Sequence, residues 1–150
     1  MTGPQKAVAI IALAVIALGW FNWRMWRRFR TAKAYRAGWG KADFDAMVAD
    51  NGVSASVAAL TRELVAPHYG QGVVPHPDDD FARFLVIDDE EISDLVEQAR
   101  ERLGIPVPTP IDPVELPPMK DVRDLAVYLG SIAADPAFNA ETVPAPLRSR

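Results

Sequence analysis

A chain of 150 residues has room for one small domain with appendages, and the absence of cysteine excludes disulfides and thiolate metal centres. The net charge of −4 conceals a segregation: through Lys41 there are eight basic residues and no acidic one, and from Ala42 onward eight basic against 20 acidic, a balance of −12. Segments so different in charge face different surroundings. No internal repeat is visible, and no alternating apolar and polar pattern marks a strand.

Residues 7–21, AVAIIALAVIALGWF, are uncharged and almost wholly aliphatic, and the run continues through Asn22 and Trp23 until Arg24 interrupts it. The 17 residues from 7 to 23 make about 25 Å of helix at about 1.5 Å per residue, the short end of what spans a bilayer. Trp20, Trp23 and Trp26 suit the membrane–water boundary, and Arg24 can extend its guanidinium outward, which lengthens the effective span. A cleaved signal peptide competes with this reading, because Ala17 and Gly19 are small residues at acceptable spacing for cleavage. Against it stands the cluster Arg24, Arg27, Arg28, Arg30, Lys33 and Arg36, which resists translocation. The positive-inside rule then places the N-terminus outside and the bulk of the chain in the cytoplasm. The expectation is a single-pass anchor in a bacterial inner membrane, with Trp20, Trp23, Arg24, Trp26, Arg27, Arg28 and Arg30 at the interface. Cations interleaved with Trp26, Phe29 and Tyr35 also suit single-stranded nucleic acid. Beside a membrane helix the simpler partner is the anionic lipid headgroup, and no nucleic acid is expected.

Gly38 and Gly40 weaken helix continuity, so the basic extension is expected to end there. Phe44, Met47 and Val48 predict a short helix stopped by Asn51 and Gly52, either packed on the domain or tethering it. Ser54 can cap a helix running to Ala66, with Val57, Leu60, Leu64 and Val65 on one face and Pro67 ending it. Residues 69–80, with Gly70, Gly72, Pro75 and Pro77, read as a loop.

Residues 81–105, FARFLVIDDEEISDLVEQARERLGI, are a short apolar segment, an acidic turn and a helix. Ile92, Leu95, Val96, Ala99 and Leu103 recur on one helical face. Asp88 or Asp89 can cap it, Glu90 and Glu91 oppose the positive end of its dipole, and Gly104 supplies a left-handed stop. This stretch resembles the central segment of acyl carrier proteins, in which a phenylalanine precedes an L-G-x-D-S-L motif and the following helix ends in F-G-I. Phe81, Leu85, Asp88, Leu95, Val96, Leu103, Gly104 and Ile105 fall at matching positions without a gap. The resemblance implies a small helical bundle with the preceding helix as its first and Phe81 and Leu85 as core anchors. It departs where the family carries phosphopantetheine: that serine is Asp89 here, the glycine is Val86, and the leucine after the serine is Glu90. A carboxylate has no hydroxyl to attack coenzyme A, and Ser93 lies a turn further on, so no cofactor is expected.

Six prolines between residues 106 and 118 forbid a long helix or a central strand. Asp112 and Pro113 can open one short turn that brings Val114 and Leu116 to the core, where the family has a short third helix. Residues 120–134 form the last predicted helix, with Val122, Leu125, Ala126, Leu129 and Ile132 on one face and Asp121 in its first turn. Its VRDLAVYL resembles the final helix of carrier proteins. Residues 137–150 read as a mobile tail.

The expected architecture is all-α: a tail and transmembrane helix over 1–26, a basic segment and linker helix over 27–52, a carrier-like bundle over 53–134 and a tail over 135–150. The acidic group Asp88, Asp89, Glu90, Glu91, Asp94 and Glu97, continued by Glu101, is either a solvated, capped helix start or a docking face for an unknown protein with a basic surface; carrier-fold proteins meet partners in the second way. His68, His76, Asp78, Asp79 and Asp80 share a loop but match no metal-ligand spacing, so no metal is expected. No nucleophile elbow surrounds Ser54, Ser56, Ser93 or Ser131 and no phosphate loop is present, so no catalytic residue is assigned and an enzyme is not expected. The expected function is a membrane-anchored, non-catalytic interaction module. The alternatives are a carrier or accessory subunit of lipid or polyketide synthesis, and a structural accessory subunit of a membrane complex.

Overall fold

A computed structural model describes residues 3–106 and 115–135. Among them are five α-helices: α1 (Gly3–Tyr35), α2 (Lys41–Ala49), α3 (Ala55–Val65), α4 (Asp89–Leu103) and α5 (Val122–Ala134). The all-α expectation holds, since no strand occurs among the described residues and the only extended pairing is an isolated bridge between Asp80 and Asp121. The chain divides into two units, one containing α1 with the loop Gly70–Val73, the other beginning at Trp39 and containing α2 to α5.

In the first unit, α1 is a single helix of 33 residues, about 50 Å long at about 1.5 Å per residue. The apolar run and the basic extension are thus one continuous rod that ends just before Gly38, which takes φ +96°. It is long and apolar enough to cross a membrane, and none of its membrane-length window is buried by protein. Ile10, Leu13, Ile16 and Leu18 are each about two-thirds exposed on every side of the helix, which distinguishes α1 from the core helix of a soluble protein.

In the second unit, α3 packs on α2, α4 and α5, and its own sequence explains that central position. Val57, Ala58, Thr61, Leu64 and Val65 are buried, and the Thr61 hydroxyl donates to the Val57 carbonyl at 2.8 Å, so even the polar member of the face is satisfied. Phe44 and Val48 of α2 are fully buried, so this short helix is part of the bundle and not only a tether. Phe81 and Leu85 are buried as anchors, as are Val122, Leu125, Ala126 and Leu129 of α5. Leu60 and Ile132 are only half-buried.

Sequence caps set the helix ends. Ser54 accepts from Val57 N at 3.4 Å, and Asp121 from Asp124 N at 3.0 Å; Asp121 is therefore the cap of α5 and not a first-turn residue. After α3 the chain does not stop at Pro67 but passes through a 3-10 turn, Ala66–His68, which tolerates proline in its first turn. The apolar segment Phe81–Leu85 closes into a turn of π-helix capped by Asp80, ending on Val86 with φ 60° and ψ 44°. The expected turn over 112–114 and the expected tail over 137–150 lie outside the described residues.

Val86 is a β-branched residue in left-handed backbone, where a Cβ costs about 1–2 kcal/mol. Glycine loses about 0.5–1 kcal/mol to its greater freedom in the unfolded chain. Val86→Gly is therefore expected to stabilise the bundle by about 0.5–1 kcal/mol, read as a rise in the urea midpoint of the full chain in detergent. A destabilisation of similar size would contradict the left-handed assignment.

Candidate functional site

The candidate site is the outer face of α4. The mouth of this helix is built by a reciprocal cap: the Asp88 carboxylate accepts from Glu91 N at 2.9 Å, and the Glu91 carboxylate accepts from Asp88 N at 3.2 Å. At the other end Gly104, with φ 69°, lets its amide and that of Ile105 return to the last carbonyls of the helix. The buried face is Ile92, Leu95, Val96 and Ala99, as the spacing predicted, while Leu103, expected on the same face, is only half-buried at the helix end.

Two of the six expected docking residues, Asp88 and Glu91, are thus committed to the cap. Asp89 is the first residue of the helix, exposed, and the Ser93 hydroxyl donates to its carbonyl oxygen at 2.8 Å. Glu90, Asp94 and Glu97 are exposed and, with Glu101, follow one another at spacings of four, three and four residues, a single stripe along the helix. Among the described residues none of the four takes part in an ion pair. Arg102 of the same helix pairs instead with Glu63 at 3.7 Å, and Arg100 turns inward. Like charges at these spacings cost about 0.2–0.5 kcal/mol per pair, which the helix dipole offsets at Glu90 in the first turn but not at Glu97 and Glu101.

Arg100 is a feature that the sequence reading missed. It is buried, and its guanidinium donates to the Pro106 carbonyl at 2.9 Å and to the Tyr128 hydroxyl at 3.3 Å, joining the end of α4 to α5. Its position four after Val96 and three before Leu103, beside the apolar face, was the available signal. The loop acids have structural tasks as well. Asp79 is buried and accepts from the Tyr69 hydroxyl at 2.6 Å and from His76 N at 3.0 Å, Asp80 caps the π-turn, and Asp78 pairs with Arg123. The His76 ring lies 4.5 Å from that of Trp39, whose indole N–H donates to the Pro75 carbonyl. His68 is half-buried in the 3-10 turn, and no group of three metal-ligand residues converges among the described residues.

The expected membrane-interface residues all lie on α1. Trp20 and Trp23 have ring centroids 5.5 Å apart, the Arg27 guanidinium stands 5.5 Å over Trp23, and that of Arg30 stands 4.6 Å over Trp26. These are cation–π distances, which keep the charged ends beside the rings and outside the aliphatic run. Arg24 is exposed and Arg28 half-buried. No family model, curated protein or solved structure matches this chain.

The two classes of acid on α4 are separable by stability. Asp88→Ala removes a cap and is expected to cost about 1 kcal/mol. Glu97→Gln relieves two like-charge spacings far from the helix start and is expected to stabilise by about 0.5 kcal/mol. Urea titrations of both variants should therefore shift in opposite directions; shifts of the same sign would show that Glu97 has a structural partner.

Proposed function

We propose that this protein is a membrane-anchored, non-catalytic interaction module whose bundle resembles an acyl carrier domain without the prosthetic group. In this reading α1 crosses the inner membrane once, its basic end rests on anionic headgroups, and the bundle works at the cytoplasmic face. The observation that carries the proposal is the stripe Glu90, Asp94, Glu97 and Glu101: exposed, mutually repulsive, and without an ion-pair partner among the described residues. A surface of this sign suits a basic partner, for which it provides encounter rate and orientation more than raw affinity. Tethering by α1 raises the effective concentration of the bundle near other membrane proteins.

The carrier resemblance is supported by local features of the helix mouth. Left-handed backbone occurs at Val86, the position that aligns with the family's glycine, and Asp89 opens the helix at the position of its serine. With a carboxylate there, and with the Ser93 hydroxyl one turn further along, attachment of phosphopantetheine has no nucleophile in place. Incubation with coenzyme A and a phosphopantetheinyl transferase is expected to leave the intact mass unchanged. A gain of one phosphopantetheine would make the protein a carrier instead.

Docking is tested by the triple charge reversal Glu90→Lys, Asp94→Lys and Glu97→Lys, which spares the cap. Proteins crosslinked to the wild-type chain in native membranes are expected to fall about tenfold or more in the variant, and to fall in the wild type as salt is raised. Equal recovery from both chains would leave the stripe as an ordinary solvated face.

A further inference from the structure

Within the first unit, the loop Gly70–Val73 and the basic end of α1 enclose a cleft of about 460 Å³. Phe29 and Arg30 lie three and four residues after Trp26, and Lys33 lies four and three after them, so the four share one face of the helix. The loop closes on that face through two glycines. A Cβ on Gly70 would meet the Phe29 side chain at 3.1 Å, and one on Gly72, which takes φ +75°, would stand 2.8 Å from the Lys33 ammonium. The loop backbone therefore lies against an aromatic ring, which a larger residue at position 70 would shift by a few tenths of an ångström, and beside the flexible end of a lysine.

The charge in this cleft is not neutralised. No residue of α1 and none of Gly70–Val73 is acidic, and neither Arg30 nor Lys33 has a carboxylate partner among the described residues. Arg30 is held over the Trp26 ring, which fixes its guanidinium without consuming its charge. The depth along α1 identifies the ligand. A hydrocarbon layer needs about 20 helical residues, so a span beginning near Ala7 ends near Trp26. Arg30 and Lys33 then stand about 6 and 10 Å further along the axis, the first at the level of lipid phosphates and the second just outside it, within reach of a long side chain.

We propose that this cleft binds the phosphate of a single anionic phospholipid, with Arg30 and Lys33 as its counter-charges, Trp26 and Phe29 as its apolar wall, and Gly70 and Gly72 as the close-fitting side. The site rests on the reading of α1 as a membrane anchor, and it replaces a diffuse electrostatic collar by one defined lipid position.

The test uses the full chain in nanodiscs of phosphatidylcholine with phosphatidylglycerol, ejected intact for native mass spectrometry. Wild-type protein is expected to retain one phosphatidylglycerol. Arg30→Gln with Lys33→Gln is expected to lower that retention about tenfold or more, since each cation contributes to anionic-lipid binding. Lys6→Gln with Lys41→Gln removes the same charge outside the cleft and outside the interfacial set, and is expected to change retention less than about twofold, because a localised phosphate is held by its direct partners. Equal losses in the two double variants, or retention of phosphatidylcholine in place of phosphatidylglycerol, would overturn the site. Retention of added inorganic phosphate without lipid would overturn the lipid source. A wild-type chain that never enters the nanodisc would overturn the anchor reading, and this outcome is distinct from the loss of a single lipid adduct.

Discussion

The constraint on which the rest depends is the lack of protein cover over α1. Seven aliphatic residues, Val8, Ile10, Ile11, Leu13, Val15, Ile16 and Leu18, are each at least 63% exposed. Covering a side chain of this kind gains about 1.5–3 kcal/mol, so the seven together represent on the order of 10–20 kcal/mol. That is as large as the whole net stability of a typical domain, about 5–15 kcal/mol. A helix exposing this much apolar surface on all sides is long and apolar enough to cross a membrane, and the charge pattern runs parallel to it. Cations and tryptophans collect where the aliphatic run ends, and carboxylates are confined to the other unit.

The bundle solves a separate problem with ordinary means. Three short helices pack around α3, and local hydrogen bonds fix their boundaries: Ser54, Asp88 and Asp121 at helix starts, Gly104 at a helix end. Because the core and caps of α4 are complete without Glu90, Asp94, Glu97 and Glu101, these residues are at liberty to serve recognition. The proposed lipid site and the proposed docking face are thus oppositely charged and belong to different units, so each can be altered without changing the chemistry of the other.

Much of this arrangement was legible in the sequence because the signals were local. The aliphatic run, the apolar periodicity of α3, α4 and α5, and the caps depend on residues within four positions of one another, which is the range over which helix physics acts. What escaped depends on contacts across the chain. The inward turn of Arg100 requires Tyr128 as its acceptor, and Asp79 requires Tyr69. Gly70 and Gly72 read as ordinary loop punctuation until Phe29 and Lys33 are seen beside them. The split within the acidic cluster is only partly visible in sequence: the spacing of Asp88 and Glu91 matches a capping box, yet residue type alone does not separate them from the surface acids beside them.

The most direct measurement of the central claim is the topology of the chain in intact cells. Since the protein has no cysteine, single variants Gln5→Cys and Gln98→Cys report the N-terminal end of α1 and the exposed face of α4 through a membrane-impermeant maleimide. The expected result is labelling of position 5 in intact cells and labelling of position 98 only after lysis. Labelling of position 98 in intact cells, or recovery of both variants in the soluble fraction, would contradict a cytoplasmic bundle held by a single membrane helix.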